Sequence, residues 1–321
     1  MAVVFGADSL KKALSMKEII DLLEKASIHE AAGRSMMSPK IHFDFEGGFL
    51  RYLFAADYEA GYGASKAYHV VNGVARYVVT LYRLKDGEIL ALLDGRHITD
   101  LRTGGVSGVV ARRVPIEGPV SLGIIGSGHQ ARAQLETLAA VYRIGACAVF
   151  SPTPANREGF ARDLGQSLGI DITPVDSAEA AVRNRNVVVA ASSARGKEPV
   201  LRGEWLDGCR LLCAVGNTRP QFAEADVACF ARSSLVVLDT VHALEEAGEL
   251  RQAKAAGKLP QAKLATLGQV ATGAVPIPAS GLVTFKSVGT ALQDLALAGR
   301  YYELLGDRPD LPRASDLGVT E

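Results

Sequence analysis

The feature that most constrains this chain is a short turn between an apolar strand and a helix. Ser121-Leu122-Gly123-Ile124-Ile125 runs into Gly126-Ser127-Gly128-His129-Gln130-Ala131, and an amphipathic stretch follows. In such a turn the first glycine permits the tight bend and the second lets the backbone approach a diphosphate. The third position takes a small residue, here Ala131, for contact between helix and sheet. The helix start offers N–H groups and the positive end of the helix dipole to an anion. The motif by itself is weak. Its place after an apolar strand and before a helix, with more strands and helices behind it, makes it a candidate dinucleotide-binding turn.

The residues that follow repeat the pattern. ACAVFS, VVVAASS, RLLCAVG and SLVVLD are continuous apolar runs, with helical stretches such as 155–169 among them. Strands that are apolar on both faces and alternate with helices imply a parallel, doubly wound sheet. The first third reads differently. Residues 9–33 have helical spacing in Leu10, Leu14, Ile19, Ile20, Leu22 and Leu23. Residues 34–95 are short alternating runs broken by glycine turns, and Lys85-Asp86-Gly87-Glu88 marks a hairpin. Residues 98–113 read as a helix despite Gly104, Gly105 and Gly108, whose small size permits a close backbone approach. Pro115 to Pro119 is a natural boundary, and 287–305 reads as a long closing helix. The expected fold class is α/β, a Rossmann doubly wound parallel sheet domain over 116–286 plus an α+β domain from 1–115 and 287–321.

Charge excludes some functions. The 321 residues contain 35 Lys plus Arg and 35 Asp plus Glu, so no global basic field exists to hold nucleic acid or an anionic membrane. The start, MAVVFGADSLKK, does not read as a signal peptide, and no apolar run approaches the roughly 18–20 residues of a membrane span. A cytoplasmic location is expected. Cys147, Cys209, Cys213 and Cys229 lie in apolar surroundings and read as buried thiols. The six histidines form no metal-binding pattern, so no metal is expected.

The strand after the turn ends at Phe150-Ser151. A site that prefers NAD usually has Asp or Glu there for the adenine ribose. Ser151-Pro152-Thr153, with Arg157 shortly after, offers hydroxyls and no negative charge, which favours NADP over NAD.

Several segments together resemble the ornithine cyclodeaminase/mu-crystallin family, in order along nearly the whole chain. They are Leu93-Asp94-Gly95, Ile98-Thr99, Leu101-Arg102-Thr103, the GIIGSGHQA turn, Glu198-Pro199-Val200, Gly203-Glu204-Trp205 and Ala214-Val215-Gly216. Phe285-Lys286-Ser287-Val288-Gly289 and Asp294 complete the set. The resemblance implies a Rossmann domain and a second domain for substrate binding and dimerisation, hence a homodimer. It implies hydride transfer between a nicotinamide and the α-carbon of a small amino or imino acid. Lys66 stands at the family's central lysine, which binds the substrate carboxylate or moves a proton. Arg102 matches a carboxylate-binding arginine, and Lys40 stands where the family has an arginine. Thr103, Ser192, Val215, Gly216 and Gly289 match cofactor-facing positions, with Gly289 beside the nicotinamide or the substrate. Gly126, Gly128, His129, Gln130, Ala131, Ser151 and Thr153 complete the expected coenzyme site.

Departures from the family pattern bear on the substrate. Leu53-Phe54-Ala55 replaces a Met-Pro-Ala signature, and Arg51 stands where cyclodeaminases carry a carboxylate. Two residues past Gly216, where cyclodeaminases and alanine dehydrogenases have an aspartate, this chain has Thr218. A threonine is no carboxylate base near neutral pH, so imine reduction is expected ahead of ornithine cyclisation. A non-catalytic protein that keeps NADPH and a small ligand is the further alternative.

Overall fold

The computed structural model describes residues 1–11, 13–193 and 198–314. The chain divides into two compact units, Met1–Arg102 with Thr290–Glu321 and Thr103–Gly289.

In the first unit β1 (Ala2–Phe5) leads to α1 (Ala7–Leu10) and α2 (Met16–Ala31). The single helix expected over 9–33 is therefore broken. The Ser15 side chain accepts from Glu18 N while the Glu18 carboxylate accepts from Ser15 N, a capping box that starts a new helix. Six strands follow: β2 (Ser35–Met37), β3 (Ile41–Phe45), β4 (Gly48–Asp57), β5 (Tyr62–Val71), β6 (Val74–Arg83) and β7 (Ile89–Asp94). Gly87 takes φ 75° in the expected β6–β7 turn, and Asn72 and Gly73 take φ 49° and 78° between β5 and β6. α3 (Gly95–Ala111) begins in the first unit and ends in the second.

The second unit continues with β8 (Val120–Ile125), α4 (His129–Val141), β9 (Ile144–Phe150), α5 (Pro154–Leu168), β10 (Ile172–Pro174), α6 (Ala178–Val182), β11 (Val187–Ala190) and β12 (Leu211–Ala214). Then come α7 (Val227–Arg232), β13 (Ser233–Leu238), α8 (Ala243–Glu246), α9 (Gly248–Ala255), β14 (Leu264–Thr266), α10 (Leu267–Ala271) and β15 (Leu282–Lys286). The chain returns to the first unit with α11 (Ala291–Leu305) and β16 (Arg313–Ala314).

The first unit's sheet runs β16-β1-β7-β6-β5-β4-β2, with β3 also paired to β4. It is antiparallel from β7 to β2, while β1 lies parallel to β7. Helix α11 packs on β4, β5 and β6, and at Gly299 an added Cβ would stand 3.1 Å from the Tyr62 ring. Phe5, Leu81, Leu93 and Tyr301 are fully buried in this unit, each large apolar side chain contributing about 1.5–3 kcal/mol.

The second unit is the doubly wound sheet, with strand order β10-β9-β8-β11-β12-β15-β13-β14 and every pairing parallel. All four residues of β11 and of β12 are buried, as strands covered on both faces must be. The four cysteines are buried too. The break at Pro115–Pro119 is not where the units divide, because the second half of α3 is packed into the second unit. A Cβ at Gly104 would meet Thr137 Oγ1 at 2.5 Å and Ala133 O at 2.7 Å, and the Tyr142 hydroxyl donates to the carbonyls of Ala111 and Val114. Likewise α11 starts at Ala291 and not at 287, because Gly289 takes φ 82° and Thr290 caps the helix. Among the described residues no helix is long and apolar enough to cross a membrane.

Candidate functional site

In the first unit β5, α3 and α11 bring five side chains together. Lys66 sits on β5 and is 4% exposed. Its Nζ donates to Thr99 Oγ1 at 2.5 Å and to Asp294 Oδ1 at 2.7 Å. Thr99 in turn donates to the carbonyl of Gly95, one turn earlier on α3. One turn later on α3, Arg102 gives Nη1 to Gln293 Oε1 at 3.1 Å, and its Nε lies 3.7 Å from Asp294 Oδ1. Gln293 belongs to the Thr290–Gln293 capping box, which places Asp294 in the first turn of α11, where the helix dipole stabilises a carboxylate.

Burial lowers the Lys66 pKa to about 8; the Asp294 charge opposes this, and Arg102 and Lys40 push the same way as burial. Lys40 is half-buried, and Lys66 feels its charge. The expected pair Lys66 and Arg102 is thus assembled. Asp294 entered the sequence reading only through the family resemblance. Thr99 came in the same way, and Gln293 was missed; the one signal for Gln293 was its spacing from Thr290. Arg51 is buried on β4, its guanidinium 4.7 Å from the centre of the Phe49 ring and 5.9 Å from that of Tyr68.

In the second unit the glycine turn has the shape that the sequence suggested. Gly126 takes φ 111°, and an added Cβ would stand 2.4 Å from the Ala191 carbonyl, so only glycine fits without displacing the strand end. Gly128 is the N-cap of α4, and among the described residues nothing lies within 4 Å of where its Cβ would be. The backbone there opens onto space at the start of a helix whose first intrahelical bond runs from Arg132 N to Gly128 O. His129 is exposed, Gln130 is half-buried and Ala131 is fully buried. These features fit a diphosphate.

At the end of β9 the Ser127 hydroxyl donates to the Ser151 hydroxyl at 2.9 Å, and Thr153 is the exposed N-cap of α5. Arg157 is engaged elsewhere. It donates to the Ser151 carbonyl at 3.0 Å and pairs with Asp176. Thr103 is buried, and its carbonyl accepts from Gln134 at 2.9 Å.

The remaining expected cofactor positions hang on two buried carboxylates that the sequence reading did not single out. Glu224, 1% exposed, accepts from Gly216 N at 2.9 Å and from Ser192 N, tying together the chain beyond β11 and β12. Val215 beside Gly216 is buried, its N–H donating to Ala190 O. Burial raises the Glu224 pKa, and the Lys286 charge opposes this. Asp239, at the end of β13, accepts from Gly289 N at 2.7 Å, from Val288 N and from the Ser287 hydroxyl. Behind them, fully buried Lys286 lies 2.7 Å from Glu249 Oε1 and donates to Asn217 O at 2.6 Å. The Asn217 amide donates to the Phe222 carbonyl and to Glu249, so the loop carrying half-buried Thr218 is strapped from below. A charged residue inside an apolar strand, as in LVTFK, was the available signal.

Comparison with known proteins gives a consistent result. The model of the ornithine cyclodeaminase/mu-crystallin family matches residues 2–308. The chain is 29% identical over 311 residues to an alanine dehydrogenase of Archaeoglobus fulgidus, covering 94% of each. It is 31% identical over 225 residues to the ketimine reductase mu-crystallin of Rattus norvegicus, covering 70% of this chain and 68% of that one. In structure it matches the Δ1-pyrroline-2-carboxylate reductase of Thermococcus litoralis, solved in complex with NADH and L-proline. The TM-score is 0.91 at 28% identity, covering 97% of this chain and all of that one.

Proposed function

This chain belongs to the ornithine cyclodeaminase/mu-crystallin family, and from that membership we propose that it is an NAD(P)H-dependent oxidoreductase that reduces a small α-imino acid, a ketimine or cyclic imine, or interconverts an amino acid with its imine. The observation that carries this reading is the buried cluster of Lys66, Arg102 and Asp294. An arginine offers a carboxylate two parallel donors, and holding the carboxylate orients the α-carbon. Lys40 adds positive charge. Lys66, with its pKa lowered to about 8, can give up a proton near neutral pH to the nitrogen being reduced.

A nicotinamide coenzyme, when bound, supplies the hydride. Gly126, Gly128 and the start of α4 would hold its diphosphate, and Ser192, Val215, Gly216 and Gly289 would face the nicotinamide end. The absence of an acid at Ser151 favours NADP. A homodimer formed through the first unit is supported by Ile41, Phe43, Phe45 and Phe54, which are between 42% and 54% exposed on neighbouring strands. A cytoplasmic location goes with this reading.

The test is a titration with NADPH and NADH, followed by a panel of cyclic imines and of α-keto acids with amines. Tighter NADPH binding and oxidation of the coenzyme by an imine are expected. Release of ammonia and proline from ornithine without net coenzyme turnover would instead mark a cyclodeaminase.

A further inference from the structure

We propose that the second carboxylate oxygen of Asp294 receives the substrate's nitrogen, so that the site selects an α-iminium or α-ammonium carboxylate over the keto acid of the same shape. The proposal rests on the reading of Arg102 and Lys66 as the carboxylate grip.

Asp294 is 1% exposed, and its Oδ1 is engaged by Lys66. Its Oδ2 is buried and accepts no hydrogen bond among the described residues. In the same cluster the buried Arg102 Nε donates none, although Nη1 of that guanidinium is held by Gln293. One charged acceptor and one charged donor are thus left open side by side, with Arg102 Nε only 3.7 Å from the Asp294 carboxylate. Folded proteins seldom leave such atoms unsatisfied without a use for them. A ligand with a carboxylate and an adjacent N–H satisfies both at once. A carboxylate alone satisfies only the arginine.

Charge points the same way. Lys66 and Arg102 would repel a cationic nitrogen, and Asp294 is the negative group placed to offset them. A keto oxygen would set a lone pair against the lone pairs of Oδ2, and a site built to bind N–H rejects an analogue that lacks it.

The chemistry balances. A dihydronicotinamide, when bound, would supply a hydride to the iminium carbon, the C=N pair moving onto nitrogen. The imine gains two electrons and the coenzyme loses two. The resulting amine keeps its N–H on Asp294 and takes a second proton from the Lys66 ammonium, which recovers it from solvent.

Calorimetry on the full chain with NADP⁺ present tests this with two isosteric pairs, L-proline against cyclopentanecarboxylate and L-alanine against isobutyrate. In the unaltered protein the nitrogen-bearing member of a pair should bind at least about tenfold tighter. Asp294→Asn turns the open acceptor into a donor and should abolish that preference, leaving the affinity for the nitrogen-free member in place. Equal affinities within the pairs in the unaltered protein, or a preference that survives in D294N, would overturn the proposal. If D294N does not fold, as read by its melting temperature, the preference in the unaltered protein decides. If no member of either pair binds, the carboxylate-grip reading itself has failed, and this proposal with it.

Discussion

Two buried lysine–carboxylate pairs in this protein have the same contact distance and do different things. Lys66 meets Asp294 at 2.7 Å, and Lys286 meets Glu249 at 2.7 Å; all four side chains are at most 4% exposed. Around Lys286 the contacts end on backbone. Asn217 O, the Phe222 carbonyl and the Glu249 carboxylate are joined into one strap beneath a loop. Around Lys66 the contacts end on side chains. Each pair leaves a buried carboxylate oxygen without a hydrogen bond among the described residues, but Glu249 Oε1 faces the Lys286 ammonium at 2.7 Å, whereas around Lys66 it is Asp294 Oδ2, the oxygen not engaged by the lysine, together with Arg102 Nε. A buried ion pair contributes little net stability unless its other valences are filled. The Lys286 pair is therefore tied to backbone, and the Lys66 pair is the one to which the proposal assigns a ligand.

The comparison can be broken at several points. The largest effect is expected from Lys66→Ala, which should cut the turnover of imine reduction by about 10²–10⁴-fold and leave coenzyme affinity intact in a fluorescence titration. Unchanged turnover would remove Lys66 from the mechanism. Next, Lys286→Met strands a buried carboxylate and should cost about 3–5 kcal/mol of stability in chemical denaturation. Lys66→Met should cost less, because Arg102 still stands 3.7 Å from the Asp294 carboxylate to offset its charge; equal losses would erase the distinction between the pairs.

The pH dependence is a finer probe. The Lys66 pKa falls from 10.5 to about 8 on folding. Between those values the unfolded chain holds more protons, so this residue's contribution makes stability rise with pH there, and its penalty is full below about 8. Activity should run the other way, with kcat/KM for imine reduction falling above pH about 8 as the proton donor is lost. Both trends should vanish in Lys66→Met. The smallest effect is expected from Ser151→Asp. A carboxylate there should repel a 2′-phosphate and shift the ratio of NADPH to NADH affinity by about tenfold towards NADH.

Local signals carried much of the second unit. Continuous apolar strands and the Gly126-Ser127-Gly128 turn are written in adjacent residues, because a positive φ and a close approach are local demands on the backbone. The same holds for the hairpin at Gly87. The Ser15–Glu18 capping box was also local, yet the helical spacing of Leu10 and Leu14 hid it.

Long-range contact decided what composition and spacing could not show. Lys66 and Asp294 are 228 residues apart, and only the packing of α11 on β5 brings them within a hydrogen bond. Glu224 and Asp239 look like ordinary acids in the sequence, and the approach of segments 32 and 50 residues away in the chain turns them into buried acceptors for Ser192 and Gly289. The amino-acid order by itself determined which segments are strands, helices and coenzyme-type turns, because those depend on backbone geometry over a few residues. Tertiary structure alone decided which charges are buried together and which atoms stay open, because burial and pairing are properties of surfaces built from the whole chain.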